Sequence, residues 1–389
     1  MMIFLSIILC LSVFPNIIYT TVPFILNPDC DLPECENPNY PALYYANHII
    51  DNNNKIHIIY STLDQLTISI FQTGKNYDPT FNYTALFSRN YPGAIQFIDT
   101  KPTNSFSLVL RRLMEFDDEP DKANITKCEN TTISYYLHNI TTNNVTMLNN
   151  NTNQPTFQLP LDMLNGSLNI DVIYPGEAMR DKKSPKLKTT SKSYFLNIAL
   201  QANNFSAPHT RFAFEFYLML PGTHGLRTSS SRFIDDHFTP GIFTVFQTRT
   251  LDSLYPSSML WKPVVYQSED RTVEQNTLMQ VYNLKNNVTL DSNIDQGIFY
   301  SILNHPTVSA FNISLGDPND GFFAKTNYTF IQFTAGLEYL EADSTKLFVT
   351  VALIASLALP GIVAIIALIF ILKRRFTKRS SSAYDTIDD

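Results

Sequence analysis

Cysteine is scarce in this chain of 389 residues, which contains four, and one of these, Cys10, lies in an apolar leader. The remaining three permit at most one bridge within the chain in an oxidising compartment. Pairing of Cys30 with Cys35 is the simplest arrangement, although Cys128 could replace either partner or link two chains into a homodimer. With so few cross-links, the fold must depend mainly on a hydrophobic core.

The short motifs that mark common enzyme classes are also missing. The sequence contains no Gly-x-Ser-x-Gly elbow, no His-Glu-x-x-His zinc motif, no phosphate-binding loop and no glycine-rich dinucleotide turn. The one group of residues that could carry out chemistry is at residues 234–241. There Asp235 and His237 would share a strand face and could bind a metal or act as acid and base. A turn in which Asp bonds its own backbone explains the same residues. We therefore expect no catalytic residue, no cofactor and no metal site.

An excess of basic charge is missing too, since the formal net charge is −7 from 28 basic and 35 acidic residues. A modestly acidic chain lacks the basic surface that nucleic acid requires. We therefore exclude nucleic acid as a partner.

The first twenty residues contain no acidic and no basic side chain. Pro15 and Asn16 interrupt this apolar stretch, which makes it shorter than a comfortable membrane span. These features predict a cleaved secretory signal peptide at residues 1–20. A retained N-terminal anchor is the alternative.

Residues 347–372 contain no Asp, Glu, Lys or Arg over 26 positions, more than the roughly 18 that indicate a transmembrane helix. Five basic residues follow within residues 373–379. Because basic flanks stay in the cytosol, we expect a single-pass type I membrane protein with residues 21–346 in the lumen and residues 373–389 in the cytosol. Pro360 and Gly361 lie within the span, where a proline can kink the helix or mark a packing notch.

The predicted lumenal segment is dense in Asn-x-Ser/Thr sequons, and none occurs in the tail. These eleven sequons, each predicted to carry a glycan, are at Asn82, Asn124, Asn130, Asn139, Asn144, Asn150, Asn165, Asn204, Asn287, Asn312 and Asn327. One sequon is weak support, but eleven on one side of the span predict a heavily glycosylated surface.

Apolar residues of the lumenal segment recur with a period of two, as at residues 66–70, 194–200 and 212–220. This alternation is typical of strands with one buried face. No stretch longer than a dozen residues before the span has a clean helical period. The pattern predicts an all-β, β-sandwich-like ectodomain, organised as one domain or as two β subdomains.

Three segments interrupt the strand pattern. Residues 124–156 are rich in Asn and Thr and carry five sequons, which predicts a glycan-covered excursion or a loop between sheet layers. Residues 176–193 contain six basic residues and predict a mobile, solvated loop. The acidic group at residues 115–119 lacks the spacing of an EF-hand calcium loop, so we expect a solvated strand end there.

Several stretches, in order and spacing, resemble the glycosylated lysosomal membrane protein family. They are residues 56–63, 110–117, 231–240, 261–266 and 310–314, together with Pro360 and Gly361 and a tail ending near a Tyr-x-x-Ile sequence. The chain departs from that family in having no cysteine after Cys128, so the family's disulfides cannot be transferred. It also ends in two acidic residues beyond the tail signal.

The resemblance implies a non-enzymatic accessory subunit of a lysosomal dipeptide transporter of the major facilitator superfamily, which it stabilises and shields from proteases. Tyr384 and Ile387 lie in the short cytosolic tail, where they fit a tyrosine-based lysosomal sorting signal that a clathrin adaptor binds in extended form. Two alternatives stay open at this point: a lumenal hydrolase or ligand-binding ectodomain that uses Asp235 and His237, and a cell-surface β-sandwich adhesion protein.

Overall fold

The computed structural model describes residues 22–37, 40–137, 146–148, 156–222, 224–236, 238–290, 297–303, 306–340 and 347–381. Contacts divide the chain into two compact units, residues 1–342 and 343–389. The predicted signal peptide and the tail signal at Tyr384 and Ile387 lie outside the described residues.

The first unit consists mostly of strands. The described strands are β1 (Ile25–Leu26), β2 (Leu43–Ile49), β3 (Asn54–Ser61), β4 (Leu66–Gly74), β5 (Pro79–Phe81), β6 (Ile95–Phe97), β7 (Asn104–Asp117), β8 (Ile133–Tyr136), β9 (Thr146–Leu148), β10 (Thr156–Leu161), β11 (Gly166–Ile173), β12 (Met179–Arg180), β13 (Lys188–Thr189), β14 (Ser193–Gln201), β15 (Thr210–Leu220), β16 (Leu226–Asp236), β17 (Thr239–Thr250), β18 (Ser258–Trp261), β19 (Val264–Tyr266), β20 (Asn276–Val281), β21 (Thr307–Leu315) and β22 (Tyr328–Gly336). A short helix, α1 (Tyr83–Phe87), lies between β5 and β6.

The first sheet is antiparallel and is built around β7 and β15. Strands β1, β2, β3 and β4 follow one another toward β7, and β15, β21 and β20 continue on its other side. Strand β8 pairs with the second half of β7. Every residue of β15 is buried, as expected for a central strand that is covered on both faces.

The second sheet is also antiparallel and is centred on β14 and β22. It runs β9, β10, β11, β14, β22, β18, β17 and β16, while β19 lies beside the first part of β22. Strand β20 pairs with β19 through its first half and with β21 through its second half. This one strand therefore joins the two sheets.

The main core lies between the two sheets. Tyr60 of β3 stacks on Phe157 of β10 with ring centroids 3.6 Å apart, and Phe216 of β15 meets Phe333 of β22 edge to face at 5.4 Å. All four rings are fully buried, and each such side chain contributes about 1.5–3 kcal/mol by leaving water. The prediction of an all-β, sandwich-like ectodomain is confirmed.

The outer faces of both sheets carry additional layers. Residues of α1, β5 and β6 pack against Tyr45 and Phe71 on the outer face of the first sheet. Leu187, from the basic segment 176–193, is buried with Phe195 and Phe233 on the outer face of the second. The prediction that residues 176–193 form a mobile, solvated loop is therefore wrong.

The second unit contains the helix α2 (Leu347–Ser381), which includes Pro360. Its segment Ile354–Arg374 is long and apolar enough to span a membrane, and it is the single such segment among the described residues. The helix continues past the predicted end of the span at residue 372 and takes in the basic cluster. One apolar C-terminal helix was predicted, and that prediction is confirmed.

Candidate functional site

The described sequon asparagines all reach the surface of the ectodomain. Six are exposed, at Asn82, Asn130, Asn165, Asn204, Asn287 and Asn327, and two are half-buried, at Asn124 and Asn312. The remaining three, at Asn139, Asn144 and Asn150, lie outside the described residues. Each of the eight described sites therefore presents at least part of its side chain to solvent.

Local structure places several of these asparagines at turns and element ends. The Oδ1 atom of Asn82 accepts a hydrogen bond from the Ala85 amide at 3.0 Å and so caps α1, a role that Asn favours. Asn165 has φ of 42°, the left-handed conformation that Asn tolerates better than most residues. In the Asn82 cap the bonded atom is the side-chain oxygen and not the side-chain nitrogen, to which a glycan would be attached.

Two clefts share Tyr282 and Asn283 in their lining. Cleft I has a volume of about 390 Å³, and its lining includes the three aromatic residues Phe246, Trp261 and Phe311. Cleft II has a volume of about 260 Å³ and is lined by Thr126, Glu215, Tyr282, Asn283, Lys285, Ala310, Phe311 and Asn312. Mixed aromatic and polar linings are typical of ligand sites. Sequence reasoning missed both clefts because their walls come from distant parts of the chain.

A buried ionic cluster surrounds Arg211, whose side chain is fully buried. Its Nε lies 2.5 Å from Oδ2 of Asp118, which is also fully buried, and its Nη2 lies 2.8 Å from Oδ1 of Asp320. Asp121 also pairs with Nη2. A Cβ at Gly316 would collide with the guanidinium, and φ there is +107°, so only glycine fits beside this arginine.

Two carboxylates of the acidic group at residues 115–119 are buried. Glu115 and Asp118 are both inaccessible to solvent. Glu115 accepts hydrogen bonds from the Tyr135 hydroxyl at 2.7 Å and the Ser206 amide at 2.7 Å, while Asp118 accepts from two backbone amides and faces Arg211. The expectation of a solvated strand end is wrong for Glu115 and Asp118, because these two carboxylates have partners that compensate their burial, whereas Glu119 is exposed as expected.

His57 is a second buried polar group that sequence reasoning did not single out. Its Nδ1 lies 2.8 Å from the Tyr45 hydroxyl and its Nε2 lies 2.7 Å from Oγ1 of Thr73. Burial lowers the pKa of His57 to about 3. The negative charge of Asp78 opposes this shift, and the positive charge of Lys55 adds to it. The imidazole therefore stays neutral in the folded protein through the mildly acidic range.

The sequence hypothesis of a metal or acid–base site rested on Asp235 and His237. The backbone of Asp235 lies near the end of β16, where the pairing with β17 shifts register. The side chain of Asp235 and the whole of His237 lie outside the described residues. Within the described parts of the chain, no group of three or more His, Cys, Asp and Glu side chains is arranged to hold a metal ion.

The cysteines occupy two separate environments. Cys30 and Cys35 form a disulfide with Cα atoms 6.4 Å apart. Cys128 is a buried free thiol, and burial, followed by the charge of Asp118, raises its pKa. A raised pKa leaves the thiol protonated and unreactive.

The described features define a class: a protein with a β-sandwich domain and, among the residues that the structure describes, one apolar C-terminal helix that can span a membrane. A family model described as "Glycosylated lysosomal membrane protein" matches residues 46–378. The chain belongs to this family of lysosomal membrane glycoproteins, and the predicted resemblance is confirmed.

Two curated relatives show how far the similarity extends. Glycosylated lysosomal membrane protein A of Xenopus laevis is 25% identical over 80% of this chain and 80% of its own length. Glycosylated lysosomal membrane protein of Danio rerio is 26% identical over 75% of this chain and 73% of its own length. The similarity therefore covers most of both chains at low identity.

Proposed function

We propose that this protein is a non-enzymatic accessory subunit of a lysosomal transporter of the major facilitator superfamily that exports dipeptides. In this role it stabilises the transporter and protects it from lysosomal proteases. The observation that carries the proposal is the placement of the sequons, since every described one reaches the surface of a compact ectodomain. Glycans at these positions would form a bulky, solvated cover.

We infer a type I arrangement from the charges that flank the span. Basic residues follow α2's apolar part within residues 373–379, and such flanks remain cytosolic. The signal peptide at residues 1–20 would direct residues 21–346 into the lumen. Pro360 then lies inside the membrane, where it can pack against a helix of the transporter.

Affinity purification of the full-length protein from detergent-solubilised lysosomes tests the proposed partnership. We expect a multispanning transporter of the major facilitator superfamily to co-purify. Loss of this protein should reduce the transporter's abundance several-fold, as expected when a membrane protein loses a stabilising partner. Addition of lysosomal protease inhibitors should restore the transporter. Unchanged transporter levels after loss of the protein would contradict the proposal.

Replacing Tyr384 with alanine tests the proposed sorting signal. The variant should move from lysosomes to the cell surface, because the extended tail peptide would lose the side chain that fills the adaptor's pocket. Surface biotinylation measures the redistribution, and Ser382→Ala, in the tail but outside the Tyr-x-x-Ile sequence, serves as the matched control. An unchanged lysosomal location of Tyr384→Ala would show that another element directs sorting.

A further inference from the structure

Asn312 differs from the exposed sequon asparagines in its surroundings. It lies within β21, opposite Glu215 of β15, and its side chain is half-buried. It also lines cleft II together with Tyr282, Asn283 and Lys285. Neither described cleft is lined by any other described sequon asparagine. A sugar attached at Asn312 would begin in a cleft rather than in open solvent.

Asn124, the other half-buried sequon asparagine, lies beside Tyr282 of the same segment. The Tyr282 hydroxyl lies 3.5 Å from Oδ1 of Asn124 and accepts a hydrogen bond from the Ile125 amide at 2.8 Å. The Tyr282 amide in turn donates to the carbonyl oxygen of Asn312 at 3.1 Å. These hydrogen bonds hold Tyr282 between Asn124 and Asn312, the two least exposed of the described sequon asparagines. They do not depend on a glycan.

We propose that cleft II binds the first N-acetylglucosamine residues of a glycan attached to Asn312. The ligand is thus a covalently attached part of this same molecule, and the inference rests on the glycosylation proposed above. Attachment holds the sugar at the cleft, so binding needs little affinity, as for any tethered ligand. The first sugars of this glycan are thus held against the protein surface in cleft II instead of moving freely in solvent.

The chemistry of cleft II suits an N-acetylated sugar. A pyranose ring has apolar C–H faces and a polar rim, and Tyr282 offers an aromatic body of the kind that packs against such a face. Asn283, Lys285 and Thr126 contribute an amide, an ammonium and a hydroxyl to the lining, which can bond the sugar hydroxyls and the acetamido group. Asn283 and Lys285 are exposed, so they lie at the open rim where an incoming sugar passes.

Ser314 completes the sequon, and it is fully buried. Its hydroxyl lies 3.0 Å from the Tyr282 hydroxyl and also donates to the Ala123 carbonyl. Because the oligosaccharide is added to the chain before the domain folds, this burial does not oppose modification. Under this proposal the domain folds around an Asn312 that already carries its glycan.

Site-resolved enzymatic deglycosylation of the native full-length protein tests the inference. The protein is purified in detergent from mammalian cells and treated with peptide N-glycosidase, and mass spectrometry follows conversion of each asparagine. Release at Asn312 should be about tenfold slower than at Asn327 or Asn204, a factor that corresponds to about 1.4 kcal/mol of protection. The difference should vanish when the protein is denatured first.

Two variants separate binding in the cleft from simple burial of the asparagine. Asn283→Ala and Lys285→Ala remove exposed lining groups and should speed release at Asn312 while leaving Asn327 unchanged. Arg227→Ala, which alters an exposed residue of cleft I, is the matched control and should change neither rate. If the two cleft II variants release the Asn312 glycan at the native rate, burial alone protects it and the inference is overturned.

Site occupancy in the same experiment separates this inference from the proposed function. An unoccupied Asn312, or native release at Asn312 as fast as at Asn327, overturns the cleft assignment alone, provided that the exposed sequons carry glycans. If no sequon is occupied, the cleft assignment and the glycan cover under the proposed function both fail.

Discussion

Replacing Arg211 with methionine is expected to lower the free energy of unfolding by about 3–5 kcal/mol, because the buried carboxylate of Asp118 would lose its counter-charge. Asp118 is as inaccessible as Arg211 itself, so water cannot take the place of the guanidinium. Methionine retains much of the apolar length of the side chain, which limits the effect of lost packing. Urea unfolding, followed by the fluorescence of the single tryptophan, Trp261, measures the change.

Two comparisons decide whether the loss comes from the buried charge. Adding Asp118→Asn to the Arg211→Met variant removes the unpaired negative charge and should recover part of the stability. Arg227→Met alters an exposed arginine and should change the free energy of unfolding by less than about 0.5 kcal/mol. If Arg211→Met costs no more than Arg227→Met, the buried cluster does not stabilise the fold.

Acidification from pH 7 to pH 5 is expected to remove about 2 kcal/mol of stability through His57 alone. The unfolded chain takes up a proton at this histidine below its ordinary pKa of 6.5, whereas the folded protein does so only near pH 3. The unfolded state therefore binds more protons between these values, so stability falls as the pH falls through this window.

The His57→Gln variant should lack this part of the pH dependence. Its unfolding free energy should change between pH 7 and pH 5 by about 2 kcal/mol less than that of the unaltered protein. Glutamine keeps a polar group that can bond Tyr45 or Thr73, which limits secondary effects. His224→Gln, at a largely exposed histidine, is the control for other titrating groups. Parallel pH profiles for the unaltered protein and His57→Gln would contradict the assignment.

The fold class could be predicted because alternation along one strand needs no knowledge of its neighbours. Residues 194–200 and 212–220 show apolar side chains at every second position, and they form parts of β14 and β15. The alternation says nothing about the partners of the residues on the opposite face of the strand. Arg211 alternates with those apolar residues and was passed over, although one basic residue inside an apolar strand is a usable signal for a buried ion pair.

The buried cluster itself depends on strand register, which local sequence does not determine. Thr210 of β15 pairs with Asp117 of β7, and this pairing brings Arg211 beside Asp118 across more than ninety positions. Cleft II likewise combines residues near positions 126, 215, 283 and 312. Such sites require the three-dimensional pairing of strands before their members can be recognised.

The error at residues 176–193 has a different physical cause. Its six basic residues suggested a solvated loop, but long basic side chains can cover apolar surface while their charged ends reach water. Lys186 lies 4.9 Å from the ring centre of Phe233, and Leu187 beside it is buried. Leu187 and the partly buried Met179 pack in the same apolar cluster and attach the segment to the second sheet.

The position of β22 has a consequence for the order of events during synthesis. This strand lies between β14 and β18 in the second sheet, yet it ends at Gly336, only ten residues before α2 begins. In the proposed type I arrangement, nearly the whole β domain would therefore enter the lumen with β14 lacking a neighbour on that side until β22, the last strand, arrives. In that arrangement the sandwich would close at about the time the ribosome delivers the membrane span, which would couple folding of the β domain to insertion of α2.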